Sequence, residues 1–288
     1  MAVSLLAALI AIGLLHLQPH LAHWRGDGGF RRWVTQIGDT SGTGRVLLAL
    51  LVPVALCLLA LWLIGLLPMA DLFRLAFALV VLLYAFGPHA YEADLEAILR
   101  APDGASQQAA VQSLTDDGEP IAWNAIAVGE AVAYAALRRR FGVLLWFFIL
   151  GPAGALLYRL AQTLARGPFD LDPEAKSTSR AIAHFMDWLP AQLLVFTLAL
   201  VGHWDAVVHA WKEWHRQAIP GSWLRDGPGF LGAAARADIQ VDIEAGDGYA
   251  EERSDVLAEL KRLRSAFVRA LLAWLSVVAL IVIAGWMS

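Results

Sequence analysis

Residues 46–67 read VLLALLVPVALCLLALWLIGLL, without one charged side chain. An α-helix rises about 1.5 Å per residue, so about 20 apolar residues cross the roughly 30 Å of hydrocarbon in a bilayer. This stretch is long enough. The link Pro68-Met-Ala-Asp71 then leads into Leu72–Phe86, so 46–86 reads as a transmembrane hairpin whose Arg74 snorkels towards the interface. Phe267–Trp286 is a further span, with Arg269 near enough to its start to do the same.

Composition agrees. The 288 residues are 58% hydrophobic and 17% charged, with mean hydropathy +0.56, against about 45–50% apolar and 25% charged in soluble domains. A net charge of -4 supplies no basic field for nucleic acid, so no nucleic-acid partner is expected. The lone Cys57 lies in a span and cannot form an intrachain disulfide. Residues 1–17 lack a basic leading region and a small-residue cleavage site, and read as a short apolar anchor.

Two other apolar blocks are broken or short. Residues 141–158 carry Gly151-Pro152-Ala-Gly154, and 188–202 is brief with Pro190 near its start, so both read as re-entrant or broken helices, which membranes tolerate where protein or water covers the freed backbone groups. Arginines flank these elements: Arg25, Arg31, Arg32 and Arg45 precede the hairpin, Arg138-Arg139-Arg140 abut 141–158, and Lys261, Arg262 and Arg264 precede the last span. The positive-inside tendency places those flanks in the cytoplasm. The chain therefore reads as an all-α integral membrane protein with four to six membrane-embedded helices and helical cytoplasmic segments.

The polar segments carry the candidate chemistry. In 88–140, Pro88 sits where a helix would start, and His89, Glu92, Glu96 and Arg100 share one face. The H-x-x-E spacing suits proton handling or metal ligation; a solvated face with a Glu96 to Arg100 ion pair is the plainer reading. Glu130, Tyr134 and Arg138 fall in one row of a helix over 121–140, as an anion-binding or hydrogen-bonding groove requires; alternatively, the triple Arg anchors that helix at lipid headgroups. Asp187, beside an apolar block, needs pairing, water or a role. It is expected to cap the helix ahead of Pro190 or to pair with Arg138 or Arg159, unless it serves a site with His184.

Residues 203–266 form a polar, Gly-rich segment, read as a mobile surface loop between Ile219 and Glu252. Neither this loop nor Ser41-Gly-Thr-Gly-Arg45 contains the Walker pattern, the acids from Asp242 to Glu252 lack EF-hand order, and no Ser lies in G-x-S-x-G. No metal site is assigned.

The run Phe141-Gly-Val-Leu-Leu-Trp146, with Gly151-Pro152-Ala-Gly154 and Tyr158-Arg159, closely resembles the AmpE family. So do His184-x-x-Asp187-Trp188-Leu-Pro190-Ala-Gln192, Gly202-His203, His23-Trp24 and His89-Ala-Tyr91. The resemblance implies a single AmpE-like membrane domain over 1–288 in the bacterial inner membrane. It also implies a regulatory or sensory role in β-lactamase expression and cell-wall stress, by binding a small-molecule ligand or an envelope protein. AmpE is similar in turn to the CbiB/CobD synthases of adenosylcobinamide phosphate, which use ATP and Mg²⁺. On that family's motifs, Glu130 and Trp146 match. Tyr134 and Arg138 stand where acids are expected, Ala183 and His184 replace paired acids, Asp187 replaces Asn, and Gln192 replaces Arg. Lost carboxylates remove charge that offsets Mg²⁺ and phosphate. The resemblance leaves a ligand pocket of His89, Glu92, Glu130, Tyr134, Arg138, Arg159, His184 and Asp187, with synthase chemistry as the alternative.

Overall fold

The computed structural model describes residues 2–17, 26–38, 40–88, 91–115, 120–219, 221–245 and 256–285. His89, His23 and Trp24 lie outside them. Among the described residues the regular structure is helical: α1 (Ala2–Leu17), α2 (Gly28–Gln36), α3 (Gly42–Ile64), α4 (Ala70–Ala85), α5 (Tyr91–Arg100), α6 (Gly104–Val111), α7 (Ala125–Ala136), α8 (Gly142–Arg166), α9 (Pro173–Val201), α10 (Trp204–Gln217), α11 (Trp223–Asp226), α12 (Gly229–Ala245) and α13 (Val256–Ile283). Four helical stretches are long and apolar enough to cross a membrane: Gly42–Ile64, Ala125–Arg166, Pro173–Val201 and Val256–Ile283. The protein is a multi-pass, all-helical membrane protein.

The chain divides into two compact units. The first comprises Met1–Ala90, Gly142–Met186 and Leu275–Ser288. Here α4 packs against α1 and α8, and α8 against α3, around Cys57, Val81 and Ala153. Most side chains that α3 turns outward are large and apolar, including Leu51, Leu56, Leu59 and Trp62. In water such a face would be a liability; in a bilayer it is the solvent-matched surface. The hairpin turn is closed by Met69 in the left-handed region (φ 63°), and Arg74 pairs with Asp71 at 3.4 Å while both stay exposed.

Two polar ties hold the ends of this unit. Asp172 caps α9: its Oδ1 accepts from the Ala175 N–H at 2.9 Å, and its Oδ2 accepts from the Gly42 N–H at 3.0 Å, so one carboxylate starts both α9 and α3. These backbone donors hold the Asp172 carboxyl below the usual carboxylate range. Glu174 adds bonds from the Thr43 N–H at 3.2 Å and the Thr43 hydroxyl at 2.9 Å.

Gly151 is the break in α8. Its φ of 68° and ψ of -157° lie in a region that essentially only glycine occupies, and Pro152 restarts the helix. The expected break in 141–158 is therefore there. The block 188–202 differs from expectation, because it is the C-terminal part of a 29-residue helix that contains Pro190. Its N-cap is Asp172, and Asp187 lies inside the helix instead of at its start. The polar first half of α9, from Pro173, hid the helix from a reading keyed to apolar runs.

The second unit comprises Tyr91–Phe141 and Asp187–Trp274. Its core gathers α7, α12 and α13 residues such as Val132, Phe230 and Phe267, with Phe141 edge-on to Trp274 at 5.0 Å between ring centres. Part of the Gly-rich stretch is a helix instead of the expected surface loop. Gly229 to Ala245 forms α12, and Phe230, Leu231, Ala234 and Ala235 are buried, because small residues allow helices to approach closely. Residues 246–255, including Asp247, Gly248, Glu251 and Glu252, fall outside the described set.

Candidate functional site

The second unit holds the polar site, and α7 positions most of it. Asn124 caps α7 by accepting the Ala127 N–H at 2.8 Å, and an Ala- and Val-rich sequence carries the helix against α12. On this shared face, Glu130 pairs with Arg236 of α12 at 2.6 Å. The Tyr134 hydroxyl donates to the Pro228 carbonyl at 3.4 Å. The Arg138 guanidinium lies over the Tyr134 ring at 5.2 Å, within cation–π range. Gly232 of α12 makes room for the row: a Cβ there would come within 2.9 Å of both Glu130 Oε1 and Tyr134 Oη. Asp187, fully buried, is within electrostatic reach of Tyr134. Four of the expected residues thus share one locality.

A π-helical turn, Leu137–Phe141, follows α7 and aims three consecutive arginines differently. Arg138 faces the Tyr134 ring. Arg139 is buried and donates to Asp94 at 2.6 Å and to the Ser113 carbonyl at 2.9 Å. Arg140 is buried and donates through Nε and Nη2 to Glu92 Oε1 at 2.9 and 2.6 Å. The last two are structural ties to α5, which corrects the reading of the triple Arg as a headgroup anchor. Glu92 is committed to Arg140. The expected Glu96 to Arg100 pair is present at 2.8 Å, and Glu96 also meets Arg264 at 2.9 Å.

Arg159 and His184 belong to the first unit. Arg159 pairs with Asp27 at 2.8 Å, a partner the sequence reading did not propose. His184 is half-buried on α9.

Sequence reasoning missed two polar clusters of the second unit. Asp238 is buried in α12 and accepts from the His203 N–H at 2.9 Å, His203 Nδ1 at 3.0 Å and Arg262 at 2.8 Å. Arg262 also meets Asp242 at 2.5 Å and Glu259 at 3.0 Å. The available signal was an Asp inside an apolar, small-residue helix. Gln192 accepts from Trp211 Nε1 at 2.7 Å and lies 3.2 Å from His215 Nε2, so it organises α10 against α9. Among the described residues no group of three or more His, Cys, Asp and Glu side chains is arranged to hold a metal ion.

Fold and site together define a multi-pass helical membrane protein whose second unit buries arginine–carboxylate pairs. No family model matches the chain, and no solved structure matches it. Over 112 residues, 38% of this chain, it is 34% identical to the cobalamin biosynthesis protein CobD of Chromobacterium violaceum. That stretch covers 34% of the relative, so the chain spans about a third of the length of the curated protein it matches. The likeness falls on the CbiB/CobD side of the resemblance drawn from sequence; the AmpE side gains no support from these comparisons.

Proposed function

We propose that this protein is a CobD-related membrane protein that binds a phosphate-bearing or corrinoid-like ligand at the Glu130, Tyr134, Arg138 and Asp187 locality. The likeness to CobD carries the reading. Arg138 supplies positive charge for a phosphate, the Tyr134 ring offers an apolar platform held by its hydroxyl, and Glu130 with Arg236 offers both an acceptor and a donor. Membership of the bacterial inner membrane goes with this proposal.

A Mg²⁺–nucleotide centre does not fit the residues present. Three described carboxylates of this unit are engaged by arginines: Glu130 by Arg236, Glu92 by Arg140 and Asp94 by Arg139. A guanidinium already neutralises these three acids, and Asp187 by itself does not supply the carboxylate set a divalent cation needs. No step is therefore derived through ATP or Mg²⁺, and binding without turnover is the form of the proposal. Native mass spectrometry of the full chain after incubation with cobinamide phosphate tests it. A retained corrinoid mass on the wild type, lost in Arg138→Ala, is the expected result; no retained mass on the wild type would overturn it.

A second reading, which rests on the sequence resemblance alone, is an AmpE-type regulator of β-lactamase expression that senses a cell-wall-derived ligand or an envelope partner. Deletion should then alter β-lactamase induction. Unaltered induction and resistance across several inducers would remove this reading.

A further inference from the structure

The first unit contains a cavity that none of the residues discussed above as a site explains. It has a volume of about 360 Å³, within the range of about 300–1,000 Å³ usual for ligand pockets, and lies among α2, α3, α4 and α8. Its walls are almost wholly apolar and include Phe30, Trp33, Pro53, Leu56, Tyr84 and Leu156. Leu56 is 60% exposed and belongs to the apolar outer face of α3 with Leu59 and Trp62. The cavity therefore communicates with the surface that meets lipid.

Polar atoms on and near this lining lack partners. Trp33 Nε1 is buried without a hydrogen-bond partner, as are Asp27 Oδ1 and Arg159 Nε of the neighbouring ion pair. Buried polar atoms are normally bonded, so a donor left without an acceptor on a residue that lines a cavity marks where an acceptor belongs. Tyr84 lies within electrostatic reach of both Asp27 and Arg159. The helix that carries Trp33 is amphipathic: Phe30 and Val34 are buried while Arg31 and Arg32 are exposed. Helices of this kind lie in the membrane interface, with aromatic rings at headgroup level and basic residues drawn to anionic lipid.

We propose that this cavity takes one acyl chain of an anionic phospholipid from the bilayer, with a head oxygen accepting the Trp33 indole N–H beside the Asp27–Arg159 pair. The chain enters past Leu56, and the headgroup stays on the α2 side, where Arg31 and Arg32 complement its charge. This site is independent of the corrinoid reading, since it shares no residue with the Glu130–Arg138 row.

The test uses the full chain in nanodiscs carrying a phosphatidylglycerol with a diazirine in one acyl chain, and maps crosslinks by peptide mass spectrometry. Saturable labelling should concentrate on the peptides containing Trp33 and Leu156. Unlabelled phosphatidylglycerol should compete at least about fivefold better than phosphatidylcholine, the discrimination expected from roughly 1 kcal/mol per basic residue at the surface. Trp33→Phe should raise the half-saturating lipid fraction about two- to tenfold, the worth of one buried hydrogen bond. Filling the cavity by Leu156→Trp should abolish the saturable component; Val52→Trp on α3 repeats the test if the first variant does not fold. Non-saturable labelling spread over Leu59 and Trp62, equal competition by the two lipids, or labelling unchanged in the folded filled variant would each overturn the proposal.

Discussion

The two compact units use polar groups in different ways. The first turns large apolar side chains outward along α3 and keeps its ionic contacts at helix starts, where Asp172, Glu174 and the Asp27–Arg159 pair tie elements together. The second buries arginines, Arg139 and Arg140, against α5 acids and threads Arg262 between Asp238, Asp242 and Glu259. In a low-dielectric interior each charge must be matched or it is strongly destabilising. The first unit consequently tolerates the loss of a polar contact better than the second.

The largest expected effect lies in the second unit. Arg139→Ala removes the guanidinium that faces the buried Asp94 carboxylate, and should cost about 3–5 kcal/mol in chemical unfolding of the micelle-solubilised protein. Arg159→Ala in the first unit, whose pair is less enclosed, should cost clearly less; equal losses would break the comparison. Next comes the kink: Gly151→Ala places a Cβ on a backbone conformation reserved for glycine, with an expected loss of roughly 1–3 kcal/mol. A loss within error would mean that α8 can straighten there.

A smaller effect follows acid. Because its donors depress the Asp172 carboxyl, its contribution is fully present above the unfolded carboxylate value of about 3.9 and is lost as pH falls through the lower folded value. Asp172→Asn should therefore flatten the decline of the melting temperature below about pH 4. An unchanged acid limb would remove Asp172 from the account. Smallest is Arg216→Ala: the Glu213–Arg216 pair is exposed on α10 and should leave the melting temperature unmoved.

How much was legible depends on whether information was local. The span in α3 could be read because its apolar run is unbroken, and the break in α8 because Gly151-Pro152 is a local signal. The starts of α9 and α13 could not be: Pro173–Phe185 and Val256–Ala266 are charged halves of helices whose other halves are apolar, and an apolar window sees only the second half. The row of Glu130, Tyr134 and Arg138 followed from helical spacing. Its surroundings did not, since Arg236 is 106 positions from Glu130 and Asp27 is 132 from Arg159. The fates of Arg138, Arg139 and Arg140 depend on a π-turn, and no side-chain pattern at that point announces the extra residue per turn.

The functional account stands or falls on Arg138. Equilibrium titration of cobinamide phosphate into the nanodisc-embedded protein should give saturable binding that weakens roughly tenfold or more in Arg138→Ala, the equivalent of about 1.4 kcal/mol or more, with the melting temperature unchanged. Absence of binding to the wild type, or the same affinity in the variant, would contradict it.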